Sequence, residues 1–162
     1  MHDINEDKFW ELVSERIFAP SEARDKLRLF ADLISRANRS LRLLSRGEEE
    51  QLYSRHFLDS LAPLLSGELK TPATLVDIGS GAGLPGIPLA IFAPGLTVTM
   101  IDSSGKKARF IERAIMSLPL ENAEVRQTSA NKDTEAGEFD YLTARAFSSI
   151  ADILPIAANY LA

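Results

Sequence analysis

Residues 73–86 read Ala73-Thr74-Leu75-Val76-Asp77-Ile78-Gly79-Ser80-Gly81-Ala82-Gly83-Leu84-Pro85-Gly86. Ala73–Ile78 is a short apolar run ending in an acid and an isoleucine, the pattern of a buried parallel strand. Glycines then alternate from Gly79 to Gly83, which lets the backbone turn sharply and lets another group approach it closely. A short helix from about Ile87 to Phe92 follows, stopped at Pro94-Gly95. Working outward, Thr97–Ile101 forms a second strand that ends in Asp102. Ser103 caps a helix from about Lys106 to Leu118, closed by Pro119. Ala123–Gln127 and Phe139–Ala144 are further strands, and Ile150–Leu161 is a last helix. Strands alternating with helices predict parallel βαβ units, hence an α/β fold with a doubly wound sheet.

Upstream of residue 70 the period changes from two to 3.6. The first helix covers about Glu6 to Phe18, with Asn5 as cap and Phe9, Trp10, Val13 and Ile17 on one face. Pro20-Ser21 restarts the chain, and a longer helix runs to about Leu44. Its apolar arc is Leu27, Phe30, Leu33, Ile34, Ala37, Leu41 and Leu44. Ser45-Arg46-Gly47-Glu48 fits a capping box, and a third helix continues through Leu52, Phe57, Leu58 and Leu61 until Pro63 ends it. The expected organisation is a helical cap over residues 1–70 and an α/β domain over 71–162, packed as one unit.

Composition sets the outer bounds. The chain has 162 residues, 45% of them hydrophobic and 25% charged, enough for one ordinary domain core. It has no cysteine and only two histidines, His2 and His56, far apart in sequence. Thiolate metal sites are thereby excluded and no metal centre is expected. No apolar run approaches the length of a bilayer span, and the start, Met1-His2-Asp3, does not read as a secretory leader. A cytoplasmic protein is the expectation. The formal net charge of −5 argues against a uniformly basic nucleic-acid coat, without saying where the charges sit.

Ligands of open parallel sheets bind beyond the carboxyl ends of the strands, where strand order reverses. The loop at Gly79 is therefore the candidate site, and two cofactor classes compete for it. Gly81 to Gly86 formally matches the dinucleotide pattern GxGxxG, a weak signal alone. Asp77-Ile78-Gly79-Ser80-Gly81-Ala82-Gly83 is instead the strand-end acid and alternating glycines usual in S-adenosylmethionine (SAM) methyltransferases. There Asp77 faces the positively charged amino-acid end of SAM. Asp102, ending the next strand, accepts hydrogen bonds from ribose hydroxyls in either reading. A tight strand–helix turn without a ligand is the structural alternative for the glycines.

Several segments carry a resemblance. They are Arg55-His56-Phe57-Leu58-Asp59-Ser60-Leu61, the run from Val76 to Ala90 with its Leu84-Pro85-Gly86-Ile87-Pro88-Leu89 tail, Asp102-Ser103-Ser104-Gly105-Lys106-Lys107 and Ala144-Arg145-Ala146-Phe147. In order and in register, they resemble the small-subunit ribosomal RNA guanine-N7 methyltransferases, the family of glucose-inhibited division protein B. The resemblance implies a Rossmann-like SAM-dependent methyltransferase fold, SAM as cofactor, and ribosomal RNA or the small ribosomal subunit as partner. It implies SAM contacts at Gly79 and Leu84, with Gly81 and Gly83 in the same loop, at Ala130-Asn131 beside the adenine, and at Arg145. Three departures stand out: Asn131 where the family has an acid, Arg42-Leu43-Leu44-Ser45 where it has Asn-Leu-Thr-Ser, and a family length that continues past Ala162. The expectation drawn from the last is that the C-terminal strands are missing, leaving the far edge of Phe139–Ala144 unpaired.

Methylation of guanine N7 needs no general base, because N7 carries a free lone pair at neutral pH; catalysis falls to proximity and alignment. Arg145 and His56 are the candidate catalytic residues. For Arg145 the bland alternative is a pair with Asp140 or Asp102. For the helix around His56 it is a plain Arg55–Asp59 pair, with Asp59 orienting His56 in the functional reading. RNA contact is expected from Arg36, Arg39, Arg42 and Arg46, spaced along one helix face, and from Lys106 and Lys107 beside Arg109. Arg36 with Asp32, and Arg46 with Glu50, would instead make that stripe a solvated face. A nicotinamide-dependent (NAD) oxidoreductase and a catalytically idle SAM-binding module are the competing functions.

Overall fold

The computed structural model describes residues 5–45, 47–130, 139–145 and 149–161. Four parallel strands, β1 (Ala73–Ile78), β2 (Leu96–Ile101), β3 (Ala123–Arg126) and β4 (Tyr141–Ala144), lie in the order β3-β2-β1-β4. Their register sets Asp77 beside Met100 on one side and Thr143 on the other. Strand order reverses at β1, so the crevice for a ligand lies at its carboxyl end. Five helices, α1 (Glu6–Ser14), α2 (Ala23–Leu41), α3 (Leu58–Leu65), α4 (Gly86–Phe92) and α5 (Gly105–Ser117), share one apolar cluster with Leu75, Val98 and Met100 of the sheet. The opposite face, Val76, Ile78 and Ile101, is covered by α6 (Ile150–Tyr160) through Tyr160, Ile153 and Ile156. The period of two along β1 thus assigns Leu75 and Asp77 to the crowded side.

The N-terminal helices adhere to the sheet through aromatic rings. Trp10 stacks on Phe92 of α4 with centroids 5.6 Å apart. Phe57, fully buried, meets Phe9, Phe30 and Tyr53 within 6.5 Å. Between α2 and α3 the chain makes a 3-10 turn (Glu48–Gln51) and a π-helical turn (Leu52–Phe57) that runs directly into α3. Pro63 lies inside α3, which continues to Leu65 instead of stopping at the proline. A proline removes one N–H, and the last turn closes around it through Ser66 N–H to Ala62 O and Leu69 N–H to Pro63 O.

Other boundaries also differ from the sequence expectation, for local reasons. Asn5 does cap α1, accepting from Lys8 N–H at 3.0 Å. The helix ends at Ser14, whose hydroxyl donates to Trp10 O, and Phe18 beyond it is exposed. The second helix ends at Leu41, not Leu44. Arg42 takes the left-handed conformation (φ 50°), and the Asn38 side chain captures Leu44 N–H at 2.8 Å. Of the capping box, the return half forms: Glu48 accepts from Ser45 N–H at 2.8 Å. Ser104, not Ser103, holds the N-cap position of α5, without a side-chain capping bond, and the Asp102 carboxylate takes Ser104 N–H at 2.8 Å where the chain turns. β4 starts at Tyr141 because Asp140 turns aside to accept from Thr74 N–H and Oγ1.

Among the described residues β4 is an edge strand, but its approach is not bare. Phe139 pairs with Leu161 in a lone parallel bridge, its N–H donating to Tyr160 O at 3.0 Å. No helix among the described residues is long and apolar enough to cross a membrane.

If the helices and the sheet form one cooperative unit, Phe57→Ala destabilises the whole chain. Truncating a buried phenylalanine costs about 3–5 kcal/mol. Urea unfolding followed by Trp10 fluorescence and by far-ultraviolet circular dichroism should move together to lower denaturant. A displaced fluorescence transition beside an unmoved dichroism transition would mean that the cap unfolds alone.

Candidate active site

The loop from Gly79 to Pro85 closes on itself and on β2. Gly79 and Ser80 N–H donate to Ile101 O at 2.8 and 3.1 Å, and Gly83 and Leu84 N–H donate to Ser80 O at 2.8 and 3.1 Å. Gly79, Gly81 and Gly83 all have positive φ, which L side chains rarely adopt. At Gly79 nothing lies within 4 Å of where a Cβ would stand, so its outer face is open. Gly86 is glycine for a different reason: a Cβ there would lie 2.6 Å from Met100 Cγ and 3.1 Å from Asp77 Oδ2.

Asp77 sits beneath this loop and is fully buried. Its Oδ2 accepts from Gly86 N–H at 3.2 Å, at the start of α4, and its Oδ1 accepts from Thr143 Oγ1 at 3.0 Å, on β4. The carboxylate therefore faces the loop's inner side and ties β1 to α4 and β4. Burial pushes its pKa up to about 6, against the opposing effect of the neighbouring Ser80 hydroxyl and of the hydrogen bonds from Thr143 and Gly86. Asp102, also buried, ends β2 and accepts from Gly81 N–H at 2.9 Å and Ser104 N–H at 2.8 Å.

Two adjoining cavities open at the carboxyl ends of the strands, of about 1070 Å³ and about 430 Å³. Gly79, Lys107 and Arg145 line both; Asp102 and Ala130 line the smaller, while His56, Gly81, Leu84 and Arg42 line the larger. The structure thus brings most of the predicted cofactor residues around one space. Gly83 packs against the protein instead, where a Cβ would meet Ile87 Cδ1 at 2.7 Å. Asn131 lies outside the described residues.

Arg145, at the end of β4, pairs with neither Asp140 nor Asp102. Its Nη1 donates to Ser60 Oγ at 3.3 Å and its Nη2 meets His56 Nδ1 at 3.2 Å. A guanidinium is always a donor, so His56 Nδ1 accepts and the ring is neutral, with its proton on Nε2. Burial, and then the charge of Arg145, hold the imidazole below the ordinary histidine range. Its Nε2 is buried with no hydrogen-bond partner, and the carboxylate within ion-pair range is Glu48, at 3.9 Å, not Asp59. Arg55 likewise lies 3.8 Å from Glu48 instead of pairing with Asp59. The π-helical turn, a feature frequent at functional sites, presents His56, and Ser60 one turn later donates to His56 O at 2.6 Å.

Sequence reasoning missed Ser60, Thr143 and Asn38. Thr143 acts through cross-strand register and Ser60 through a contact across 85 residues, so neither has a local signal. The arginine stripe is corrected: Arg36 and Arg39 are exposed on α2, but Arg42 leaves the helix and turns toward the larger cavity. Arg46 lies outside the described residues. No ion pair among the described residues engages Arg36, and no cluster of three or more His, Asp or Glu there is placed to hold a metal.

The family model for GidB, rRNA small subunit methyltransferase G, matches residues 23–162. A Ribosomal RNA small subunit methyltransferase G from Stenotrophomonas maltophilia (strain K279a) is 43% identical over 131 residues, 80% of this chain and 59% of that protein. One from Xanthomonas campestris pv. campestris (strain B100) is 41% identical over 135 residues, 82% of this chain and 61% of that protein. The chain thus spans about three fifths of the length of these curated relatives. Among solved structures, a SAM-dependent methyltransferase from Aquifex aeolicus aligns with TM-score 0.53 at 24% identity over 65% of this chain and 58% of that one. Coclaurine N-methyltransferase, bound to N-methylheliamine and S-adenosylhomocysteine, aligns with TM-score 0.53 at 12% identity over 84% of this chain and 48% of that one. These two likenesses are of fold: a Rossmann-like methyltransferase sheet.

A raised aspartate pKa makes the folded chain bind a proton that the unfolded chain releases between about pH 3.9 and 6. The stability Asp77 contributes is full below that window and is lost as pH rises through about 6. Asp77→Asn removes this contribution, while His56, whose lowered pKa acts in the opposite sense, affects both chains alike. The thermal midpoint of the native chain relative to the variant should therefore fall between pH 4 and 7. Parallel profiles would show that Asp77 does not titrate there.

Proposed function

The chain belongs to the GidB family, rRNA small subunit methyltransferase G, and on that premise we propose that its cavity binds SAM and that it methylates guanine N7 in small-subunit ribosomal RNA. The observation that carries the cofactor choice is the bond from Gly86 N–H to buried Asp77. In a dinucleotide site the first helix N-terminus receives the pyrophosphate; here a carboxylate already occupies it. A loop whose helix end is filled by an anion suits a cofactor without pyrophosphate, and this disfavours the NAD reading.

The residues present fit SAM. Asp102 lines the smaller cavity, and each of its oxygens retains acceptor capacity beside its backbone donor. It would take the ribose hydroxyls, with Ala130 and Asn131 flanking the adenine, Gly79, Gly81 and Leu84 along the loop, and Arg145 at the junction of the two cavities. When bound, SAM supplies an activated methyl on a sulfonium: the N7–carbon bond forms as the carbon–sulfur bond breaks and sulfur keeps the electron pair. No protein group needs to remove a proton, since N7 attacks with its own lone pair. Arg145 is fixed in direction by His56 and Ser60 and keeps its full charge. It would orient the base or its phosphate beside the reacting carbon, and holding reactants in line is where the rate gain lies. N7 lies on an edge that A-form RNA hides in a deep, narrow groove, so the acceptor is a guanine in a loop or splayed from its helix. Arg36, Arg39, Arg42, Arg46, Lys106 and Lys107 would serve phosphates of the RNA, free or within the small subunit, in the cytoplasm.

Calorimetry should show SAM binding and no NAD binding. Asp102→Ala should weaken SAM by about 1.5–3 kcal/mol, the worth of hydrogen bonds to a charged group. Micromolar NAD affinity, or unchanged SAM affinity in the variant, would reverse the assignment. Methyl transfer from labelled SAM to ribosomal RNA, with the modified base mapped, tests the reaction. SAM binding without transfer would leave an idle SAM-binding module.

A further inference from the structure

Beside the cavity lies a second concavity that the loop chemistry does not use. Lys106, Arg109 and Arg113 recur at spacings that set them on one face of α5, and all three are exposed. With Ala37, Ser40 and Leu41 of α2 they bound a groove of about 350 Å³. Lys8, Lys26, Arg28 and Arg126 each have a carboxylate within 2.8 Å. None of the ion pairs among the described residues engages the three cations of the groove. Helix polarity does not explain them either. The first turn of α5 carries Lys106 and Lys107 and no acid, the reverse of what a helix N-terminus favours.

The groove neighbours the cavity along both walls. Leu41 lines the groove and Arg42, the next residue, lines the larger cavity; Lys106 lines the groove and Lys107 the cavity. Lys106 and Arg113 are also about 10 Å apart along the helix axis, at 1.5 Å per residue. A single small anion would need its cations focused on one point, whereas a row of that length matches a chain of charges.

We propose that the α2–α5 groove binds the phosphate backbone of the RNA strand flanking the base held in the cavity, with Lys106, Arg109 and Arg113 as phosphate contacts. This rests on the RNA-methyltransferase reading above and adds to it a defined path for the strand. Phosphate contacts of this kind position the nucleic acid and carry no sequence information, so they should act on affinity and salt dependence alone.

The test measures binding of the full chain to a labelled small-subunit ribosomal RNA transcript over a range of potassium chloride, with SAM calorimetry on the same preparations. Arg109→Ala with Arg113→Ala should lower RNA affinity and reduce the log–log salt slope by about 0.7–0.9 per lost contact. Arg109→Lys with Arg113→Lys should retain most of the slope, and SAM affinity and thermal midpoint should stay unchanged in both. Unaltered RNA affinity and slope in the alanine variant would overturn the groove while leaving the methyltransferase reading intact. Poly-glutamate competing as well as poly-uridylate would assign the groove to an acidic polypeptide and overturn it too. SAM binding with no RNA affinity in the unaltered chain would remove both the RNA acceptor and the groove.

Discussion

The buried carboxylate of Asp77 is the constraint around which the site is arranged. A charge removed from water is tolerated only where hydrogen bonds replace its hydration. Asp77 finds them at Gly86 N–H on α4 and at the Thr143 hydroxyl on β4, while Ser80 Oγ donates to the Asp77 backbone carbonyl at 2.8 Å. α4 and β4 thereby converge on one side chain of β1, and the glycine loop is tied to that residue's backbone. The close approach requires glycine at 86, since a Cβ would press on both Met100 and the carboxylate. The loop is left open toward the cavity at Gly79, where nothing lies within 4 Å of a Cβ position.

The N-terminal helices do more than cover apolar surface. Trp10 stacks on α4 and Phe30 on Phe57, which holds the segment from Glu48 to Leu65 beside the open end of the sheet, and that segment supplies His56, Ser60 and Glu48. The cavity wall is therefore shared between the two halves: glycine loop and Arg145 from the sheet side, the π-helical turn from the cap. Core packing and site assembly are the same event. A change that loosens Phe57 also loosens the residue immediately before it, which holds Arg145.

How far the sequence could be read follows from the range of the interactions involved. β1 was legible to the residue and β2 and α4 to within one, because a buried strand and a Gly/Pro-bounded turn are written locally. The glycine loop, Asp102 and Arg145 were legible as strand-end residues and do line one space. The end of α2 was not, since it is made by Asn38 reaching forward six residues to Leu44 N–H, with no glycine to mark the stop. The orientation of Asp77 was not legible either. An acid at a strand end looks the same in sequence whether it faces a ligand or props up the loop from below. Only the register of β1 against β4, which brings Thr143 opposite, separates the two. Glu48 reads in sequence as a helix cap, and its approach to His56 and Arg55 emerges only once the intervening turn is wound as a π-helix.

The choice of partner for Arg145 shows what this arrangement is suited to do. A carboxylate would orient the guanidinium equally well, but it would cancel the charge and hold the carboxylate low at the same time. A neutral imidazole fixes direction through one acceptor nitrogen and leaves the positive charge uncompensated. Burial favours that neutral form, and the guanidinium reinforces it, since a protonated ring would place two cations 3.2 Å apart. The two effects point the same way and favour a neutral imidazole beside the guanidinium. Ser60 completes the cradle with a hydroxyl, again without charge. What faces the cavity is a directed cation beside an open glycine loop, and on the proposed reading that pair would hold an electron-rich base or its phosphate in line with an electrophile. On that reading, a lone-pair nucleophile such as guanine N7 asks no proton acceptor of the site.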